Sequence, residues 1–156
     1  MRTGVRLGVD VGTARVGIAR SDPHGMLATP VETLARRDDV VAGIRRLVDE
    51  HDVIEVVVGL PLALSGLETA STADARSVAV AIAAAVHLPV RLVDERLTTV
   101  TAARGLRDAG RTTKNSRSVV DQAAAVILLQ HALDLERASG NPPGALVEPH
   151  ESRPAE

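Results

Sequence analysis

Apolar, β-branched stretches alternate with turn residues in the first part of the chain, a pattern typical of β-strands. Three such stretches come first, over Val5–Val11, Val16–Ser21 and about 27–34. The turn sequences Gly12-Thr13 and Asp22-Pro23-His24-Gly25 separate them. This pattern predicts three consecutive antiparallel strands joined by short connections.

The next part of the chain alternates between helical periodicity and short, mostly apolar segments. Helical spacing of apolar residues predicts helices from Asp38 or Asp39 to about Glu50 and from about Ala70 to Val86. Two short segments rich in β-branched residues, Ile54–Val58 and Val90–Val93, predict strands that are buried on both faces.

Two more helices complete the predicted elements, from Thr98 or Thr99 to about Ala109 and from about Ser118 to Glu136. The order β-β-β-α-β-α-β-α favours an α/β fold, with a five-stranded mixed sheet flanked by helices. We expect residues 1–138 to form one domain. Glycine, proline and charged residues dominate from Ser139 onward, which predicts a disordered tail over 139–156.

Composition restricts the class of protein and its environment. The chain has 156 residues, of which 45% are hydrophobic and 24% charged, as in soluble globular proteins. It contains no cysteine, which excludes disulfides and thiolate metal sites and indicates a reducing compartment. The N-terminus shows no signal-peptide pattern, and the apolar runs are too short to span a membrane. We therefore expect a cytoplasmic protein.

The chain contains no Phe, Tyr or Trp. Its core must therefore be built from aliphatic side chains. Single-stranded nucleic acid, if it binds, cannot be held by bases that stack on aromatic rings, the usual arrangement.

Asp10 is an acidic residue in an otherwise apolar strand. Burying a carboxylate is costly unless a partner compensates for its desolvation, and Gly8, Gly12 and Gly17 leave space around this one. Two interpretations stay open from the residues alone. Asp10 belongs either to a metal or phosphate site or to a turn in which it binds backbone amides.

Two further acids stand where ligand-binding residues are common. Glu95 follows a predicted strand directly, and α/β sheets bind ligands at the carboxyl ends of their strands. The alternative is a solvated loop acid paired with Arg96.

Asp121 shares a helix face with Ala125 and Leu128, which must dock on the sheet. Its alternative is an aspartate in the first turn, favoured by the helix dipole.

Asp10, Glu95 and Asp121 together form a candidate catalytic and metal-binding set. Hard oxygen ligands without cysteine or clustered histidine suit Mg²⁺ or Mn²⁺. A divalent cation would also offset the repulsion among the carboxylates. Two such ions activate a water and stabilise the leaving oxygen in phosphodiester hydrolysis, so the set predicts chemistry of this kind.

Basic residues are concentrated immediately before Asp121. The whole chain has a formal net charge of −2, but five basic residues against the single acid Asp108 give this segment a charge of +4. The basic residues are Arg104, Arg107, Arg111, Lys114 and Arg117. The segment predicts contacts with a nucleic-acid backbone, the alternative being a solvated helix face. Arg15 and Arg96 are candidates either to orient a phosphate or to hold a catalytic carboxylate.

Four motifs between Arg6 and Leu133 resemble, in the same order, those of the YqgF/RuvX family. They are Asp10-x-Gly12-x-x-Arg15-x-Gly17, Val58-Gly59-Leu60-Pro61-Leu62, Asp94-Glu95-Arg96-Leu97-Thr98-Thr99 and Asp121-x-Ala123-Ala124-x-x-Ile127-Leu128. The resemblance implies an RNase H-like fold with Asp10, Glu95 and Asp121 as the acidic catalytic set. It also implies a metal-dependent endonuclease that matures the 5′ end of pre-16S rRNA.

The resemblance leaves alternatives open. The same chemistry on a four-way DNA junction would make the protein a Holliday junction resolvase, which we expect to act as a symmetric dimer. A non-catalytic RNA-binding factor in ribosome assembly is an alternative of another class. Monomer and homodimer both remain possible. RuvC-like enzymes carry a further acid or histidine where this chain has Ser118, so the set here has three acids.

The implied fold also sets a geometric requirement. In an RNase H-like sheet the strand that ends at Gly59 lies between the strands that carry Asp10 and Glu95. Two strand spacings are about 9.6 Å, so Glu95 must reach back across the intervening strand. We expect Gly59, which has no side chain, to clear this path.

Overall fold

The computed structural model describes residues 1–96, 98 and 114–148, with side chains in the last segment from residue 122 onward. The strands within these residues are β1 (Val5–Val11), β2 (Arg15–Ser21), β3 (Ala28–Ala35), β4 (Val53–Leu60), β5 (Val90–Asp94) and β6 (Ala145–Leu146). The helices are α1 (Val40–His51), α2 (Ala70–Val86) and α3 (Lys114–Ser139). No described helix is long and apolar enough to cross a membrane.

The strands form one mixed sheet in the order β3-β2-β1-β4-β5-β6. The first three strands pair antiparallel, as the short connections between them require. Strands β1, β4 and β5 are parallel, and β6 returns antiparallel to β5. The parallel strands end at one edge of the sheet, which is where α/β folds bind ligands.

Helices cover the sheet on both faces. Leu7, Val9 and Val11 of β1 face the layer of α1 and α2, while the alternate residues of that strand face α3. The core on the α3 face is built from alanine, valine and leucine, among them Val57, Ala125 and Leu128. Both cores are aliphatic, as a chain without aromatic residues demands.

Helix α3 approaches β1 closely because both elements present small residues. A Cβ atom added to Gly8 would lie 2.8 Å from Leu129 Cβ and 3.2 Å from the carbonyl oxygen of Ala125. Only a residue without a side chain fits under this part of the helix. Ala125 and Leu128 are fully buried, as the predicted docking face of the helix requires.

A cluster of charged residues joins the C-terminal end of α3 to the sheet. Arg2 donates to Glu136 of α3 at 2.7 and 2.9 Å and to Glu55 of β4 at 2.9 and 3.2 Å. Arg91 of β5 also donates to Glu55, at 2.8 Å, and Arg6 lies 3.4 Å from Glu136. Glu55, Glu136 and Arg6 are almost fully buried. We call these five residues the buried ion cluster.

The sheet has six strands, so the prediction of five is wrong. The sixth strand, β6, falls in the segment predicted to be a disordered tail, and that prediction is wrong for residues 145–146. The Val147 amide donates to Val90 at 2.8 Å, and the Val147 side chain is buried. Gly144, with φ of +67°, turns the backbone against Leu92. Two residues are too few for a strand pattern to show in the sequence.

Most other boundaries agree with the sequence predictions within a few residues. Helix α1 is capped by Asp39, whose side chain accepts from the Ala42 amide at 3.0 Å. Helix α3 begins at Lys114, four residues before the predicted start. The predicted helix over about 99–109 and the tail beyond residue 148 lie outside the described residues.

Candidate active site

Asp10 lies inside β1 and is fully buried. It pairs across the sheet with Gly17 of β2, so the neighbouring position carries no side chain. The turn interpretation is therefore wrong, because the residue belongs to the strand and not to the Gly12-Thr13 turn that follows. Its carboxylate is on the α3 face of the sheet, opposite to the face of Val9 and Val11.

Glu95 follows β5 directly and is only 3% exposed. Its amide donates to the carbonyl of Leu60 at 3.4 Å, which holds the residue against the end of β4. The Glu95 carboxylate lies over Gly59: a Cβ atom there would be 3.5 Å from the carboxylate carbon and would collide with Oε2. The solvated-loop interpretation is therefore wrong for Glu95.

The position over Gly59 brings Glu95 toward Asp10. Val9 pairs with Val58, so Gly59 is the next residue of β4 alongside Asp10. The Glu95 carboxylate thus lies above the strand adjacent to β1, about one strand spacing of 4.8 Å away rather than two. The Glu95 side chain therefore extends over β4 toward Asp10, as expected, and the missing side chain of Gly59 permits this position.

The side chain of Asp121 lies outside the described part of the structure, but the helix that carries it is placed. Gln122 Nε2 donates to Thr33 Oγ1 at 3.1 Å. Thr33 pairs with Gly17, and Gly17 pairs with Asp10, so the three residues form one row across the sheet. The turn of α3 that includes residue 121 therefore crosses the sheet at the row of Asp10.

Arg96 pairs with Asp94 rather than with Glu95. Its guanidinium donates to Asp94 through Nη2 at 2.7 Å and through Nε at 2.9 and 3.1 Å. The hydrogen bond from Arg96 lowers the pKa of Asp94, and the same contact raises the pKa of Arg96. Arg96 also donates to the Leu64 carbonyl at 3.4 Å, which ties it to the loop after β4.

Of the other predicted nucleic-acid-binding residues, Arg15 is the one whose side chain the structure describes. Arg15 is half-buried at the start of β2, and strand alternation places it on the same face as Gly17 and Ala19, hence on the α3 face. Lys114 and Arg117 belong to α3, with side chains outside the described ones. Arg107 and Arg111 lie outside the described residues.

One positioning contact has no signal in the sequence. Arg36 donates to the Gly12 carbonyl at 2.9 Å and to both carboxylate oxygens of Asp74, at 2.8 and 3.0 Å. It therefore joins the turn after Asp10 to helix α2. The hydrogen bond that Arg36 donates to Asp74 raises the pKa of Arg36 and lowers the pKa of Asp74. Residues this far apart in the chain meet only through the fold.

The described geometry suits a hard divalent cation. Two carboxylates are buried on one face of the sheet, and the missing side chain of Gly59 leaves the space that the Glu95 carboxylate occupies. Oxygen ligands of this kind prefer Mg²⁺ or Mn²⁺. No group of three potential metal ligands occurs among the described side chains, which do not include that of Asp121.

Comparison with known sequences identifies the family. The sequence pattern of the RuvX family, described as Holliday junction resolvase, matches residues 4–135. A protein of Leifsonia xyli subsp. xyli is 60% identical over 151 residues, which cover 96% of this chain and 97% of the relative. The chain belongs to the RuvX family.

This assignment confirms the resemblance seen in the four motifs. The Leifsonia relative carries the name "Putative pre-16S rRNA nuclease". A relative from Streptomyces coelicolor with the same name is 56% identical over 151 residues, covering 95% of this chain and 90% of the relative.

Solved structures confirm the fold of this RuvX chain. Thermus thermophilus RuvC in complex with a Holliday junction substrate superposes with a TM-score of 0.54 at 15% identity, covering 90% of this chain and 99% of RuvC. A second structure of the same RuvC gives a TM-score of 0.50 at 15% identity and covers 86% of this chain and 97% of the other. RuvC is RNase H-like, so the expected fold class is confirmed.

Proposed function

We propose that this RuvX chain is a metal-dependent endonuclease that hydrolyses phosphodiester bonds during 5′-end maturation of pre-16S rRNA in the cytoplasm. The observation that carries the proposal is the burial of the Asp10 and Glu95 carboxylates on one sheet face, with the Glu95 carboxylate in the space left by the missing side chain of Gly59. The names of the Leifsonia and Streptomyces relatives support the choice of substrate.

The proposed metal ligands are Asp10, Glu95 and Asp121, which would hold Mg²⁺ or Mn²⁺. The row formed by Thr33, Gly17 and Asp10 supports including Asp121, because Gln122 of the same helix turn contacts that row. When bound, the cation activates a water and stabilises the leaving oxygen of the phosphodiester.

Basic side chains would bind the substrate backbone around these acids. We assign this role to Arg15, Arg96, Arg107, Arg111, Lys114 and Arg117. Arg15 shares the sheet face of Asp10, and Arg96 follows Glu95 directly. Arg96 is held by Asp94, so its guanidinium is oriented before any substrate binds. Contacts to phosphates position the scissile bond without reading the sequence.

Cleavage of a four-way DNA junction is a second candidate function. The description of the RuvX family as Holliday junction resolvase favours it, and RuvC bound to a junction shares the fold. Such an enzyme cuts two strands related by symmetry and would act as a homodimer. A monomer in solution with its cleavage confined to RNA would count against this candidate.

The test is cleavage of a pre-16S rRNA 5′ leader and of a four-way DNA junction, each with Mg²⁺ or Mn²⁺. We expect metal-dependent cleavage of the RNA by the wild type and at least a hundredfold slower cleavage by Asp10→Asn, about 2.7 kcal/mol in the activation barrier. Asp49→Asn, an exposed acid of α1, is the matched control and should keep full activity.

Each other outcome of this experiment selects a different function. Junction cleavage lost in Asp10→Asn, without RNA cleavage, would make the protein a resolvase. RNA binding without metal-dependent cleavage by the wild type would make it a non-catalytic assembly factor. Equal cleavage by the wild type and Asp10→Asn would indicate a contaminating nuclease and contradict the catalytic role of Asp10.

A further inference from the structure

A short hairpin follows β4 at the edge of the candidate active site. Leu62 pairs with Glu68, the Ala63 amide donates to Leu67 at 3.0 Å, and the Gly66 amide donates to Ala63 at 2.8 Å. The turn ends with Gly66 in the left-handed region, at φ of +93°. This is the common three-residue hairpin loop, whose conformation its own backbone bonds define. We call residues 62–68 the rim hairpin.

The rim hairpin is anchored on both sides. Leu62 packs against the core on the α1 and α2 face, and the Thr72 hydroxyl of α2 donates to the Pro61 carbonyl. On the side of the site, Arg96 donates to the Leu64 carbonyl at 3.4 Å. The tip therefore lies beside the residue that directly follows Glu95, and it is held there before any ligand binds.

The tip presents two apolar side chains to solvent. Leu64 is 90% exposed and Leu67 is 70% exposed, the highest values among the large hydrophobic residues in the described part of the chain. Proteins that distort nucleic acids often insert leucine or similar side chains between bases. This chain has no aromatic residue to supply such a contact by stacking.

We propose that Leu64 and Leu67 of the rim hairpin pack against unstacked bases of a single-stranded segment next to the cleavage point. This inference rests on the proposed nuclease function. The phosphate that is cleaved must lie over Asp10 and Glu95, so the neighbouring bases pass the edge where Arg96 and the hairpin meet. Arg96 can bind a phosphate while the leucines contact the base attached to it.

The size of the tip favours bases over a protein partner. Specific protein interfaces bury about 1,200 Å² or more in total, which two leucines on one short hairpin cannot supply. A base offers an apolar face that two leucines can cover. Bases in single-stranded RNA are accessible in this way, whereas bases in an intact duplex are stacked and shielded. The contact therefore selects single-stranded or frayed substrate.

The test compares binding of single-stranded RNA by matched variants in an Asp10→Asn background, which separates binding from cleavage. The RNA carries 2-aminopurine beside the cleavage position, and fluorescence anisotropy and 2-aminopurine emission are both recorded. The variant is Leu64→Ala with Leu67→Ala. The control is Leu27→Ala, a leucine of 60% exposure at the opposite end of the sheet. Circular dichroism verifies that all proteins are folded.

We expect the double alanine variant to lose about tenfold in affinity for single-stranded RNA, as the loss of buried leucine surface implies. Its affinity for blunt duplex RNA should change less than twofold, as should the affinity of Leu27→Ala for either RNA. The change in 2-aminopurine emission on binding should disappear in the double alanine variant alone. Leu64→Phe should strengthen single-strand binding, because a ring adds stacking.

Unchanged single-strand affinity in the double alanine variant, when the Asp10→Asn parent binds RNA, would overturn the leucine contact and leave the proposed nuclease function intact. An equal loss for single-stranded and duplex RNA would also overturn it, since bases in a duplex are shielded. If neither wild type nor Asp10→Asn binds nucleic acid, both this inference and the proposed function fail.

Discussion

The Glu95 carboxylate reaches the neighbourhood of Asp10 because Gly59 has no side chain. The carboxylate occupies the space where a Cβ atom of residue 59 would stand. Leu128 Cδ2 lies 3.1 Å from that Cβ position and closes the space on its other side. A methyl group added at residue 59 would therefore occupy the same space as the Glu95 carboxylate, a proposed catalytic group. The glycine has a negative φ, so this role is steric and unrelated to backbone strain.

Gly59→Ala should displace Glu95 while leaving the protein folded. The colliding atom is the end of a flexible side chain, which can rotate away. Misplacing a catalytic group by about 1 Å can slow a reaction about a hundredfold, and we expect a loss of this order in RNA cleavage. The measurement is single-turnover cleavage with Mn²⁺, together with a thermal unfolding curve.

Gly43→Ala is the matched control for this change. It adds the same methyl group in helix α1, where the nearest atoms are the side-chain carbons of Leu34 at 3.0 Å. Cleavage should be unaffected. Full activity in Gly59→Ala would show that Glu95 does not need its observed position and would contradict its role as a metal ligand.

Helix α3 is held against the sheet at two places, one near its start and one near its end. Near its start it crosses the row of Asp10, and near its end the buried ion cluster fixes it to β1, β4 and β5. The cluster joins Arg2 and Glu136, which are 134 residues apart in sequence. Since the helix carries the proposed ligand Asp121, the cluster also fixes the direction in which that part of the site is presented.

Glu136→Gln should destabilise the protein and change its response to acid. Removing one partner of a buried ion pair costs about 3 kcal/mol, which urea unfolding at neutral pH would measure. The hydrogen bond from Arg2 holds the pKa of Glu136 below its usual value in the folded protein. The stabilisation is therefore complete at neutral pH and is lost as the pH falls, first through the ordinary carboxyl pKa and then through the lowered one.

The pH dependence of the Glu136→Gln effect tests whether the charge of Glu136 supplies the stability. The difference in stability between wild type and Glu136→Gln should shrink as the pH falls from about 6 to about 3, because both proteins then lack the charge. Glu148→Gln, at an exposed position, should match the wild type throughout. A difference that stayed constant with pH would mean that packing, and not the charge of Glu136, supplies the stability.

The net charge of the whole chain and the charge of its basic segment have opposite signs. The net charge is −2, yet the basic segment before Asp121 carries +4. Attraction to a polyanion therefore depends on local charge and not on the net value. Two of the acids that would hold the metal, Glu95 and Asp121, lie on either side of this basic segment in the sequence.

Arg107→Ala with Arg111→Ala should weaken RNA binding in a salt-dependent manner. Each phosphate contact to single-stranded nucleic acid contributes about 0.7 to the slope of log affinity against log salt, so losing two should reduce the slope by about 1.4. Titrations of single-stranded RNA across a salt series would measure this. Arg20→Ala with Arg45→Ala removes the same charge elsewhere on the surface and should leave the slope unchanged. An equal reduction of the slope in both double variants would contradict a local binding segment.

The order of elements, the α/β class and the family followed from local patterns in the chain. Strand alternation, helical spacing and motif order depend on neighbouring residues, so a sequence records them directly. The burial of Asp10 was also open to prediction, because an acid in an apolar strand is a local signal, whereas the role of Gly59 followed from the strand order that the family resemblance implies.

Other features depend on contacts between residues that are distant in sequence. The two-residue strand β6, the link from Arg36 to Asp74 and the buried ion cluster leave no periodic trace, and only the folded chain brings their partners together. The choice of Asp94 over Glu95 as the partner of Arg96 is of the same kind. Adjacent carboxylates look equivalent in a sequence, and the packing of Glu95 over Gly59 makes them different.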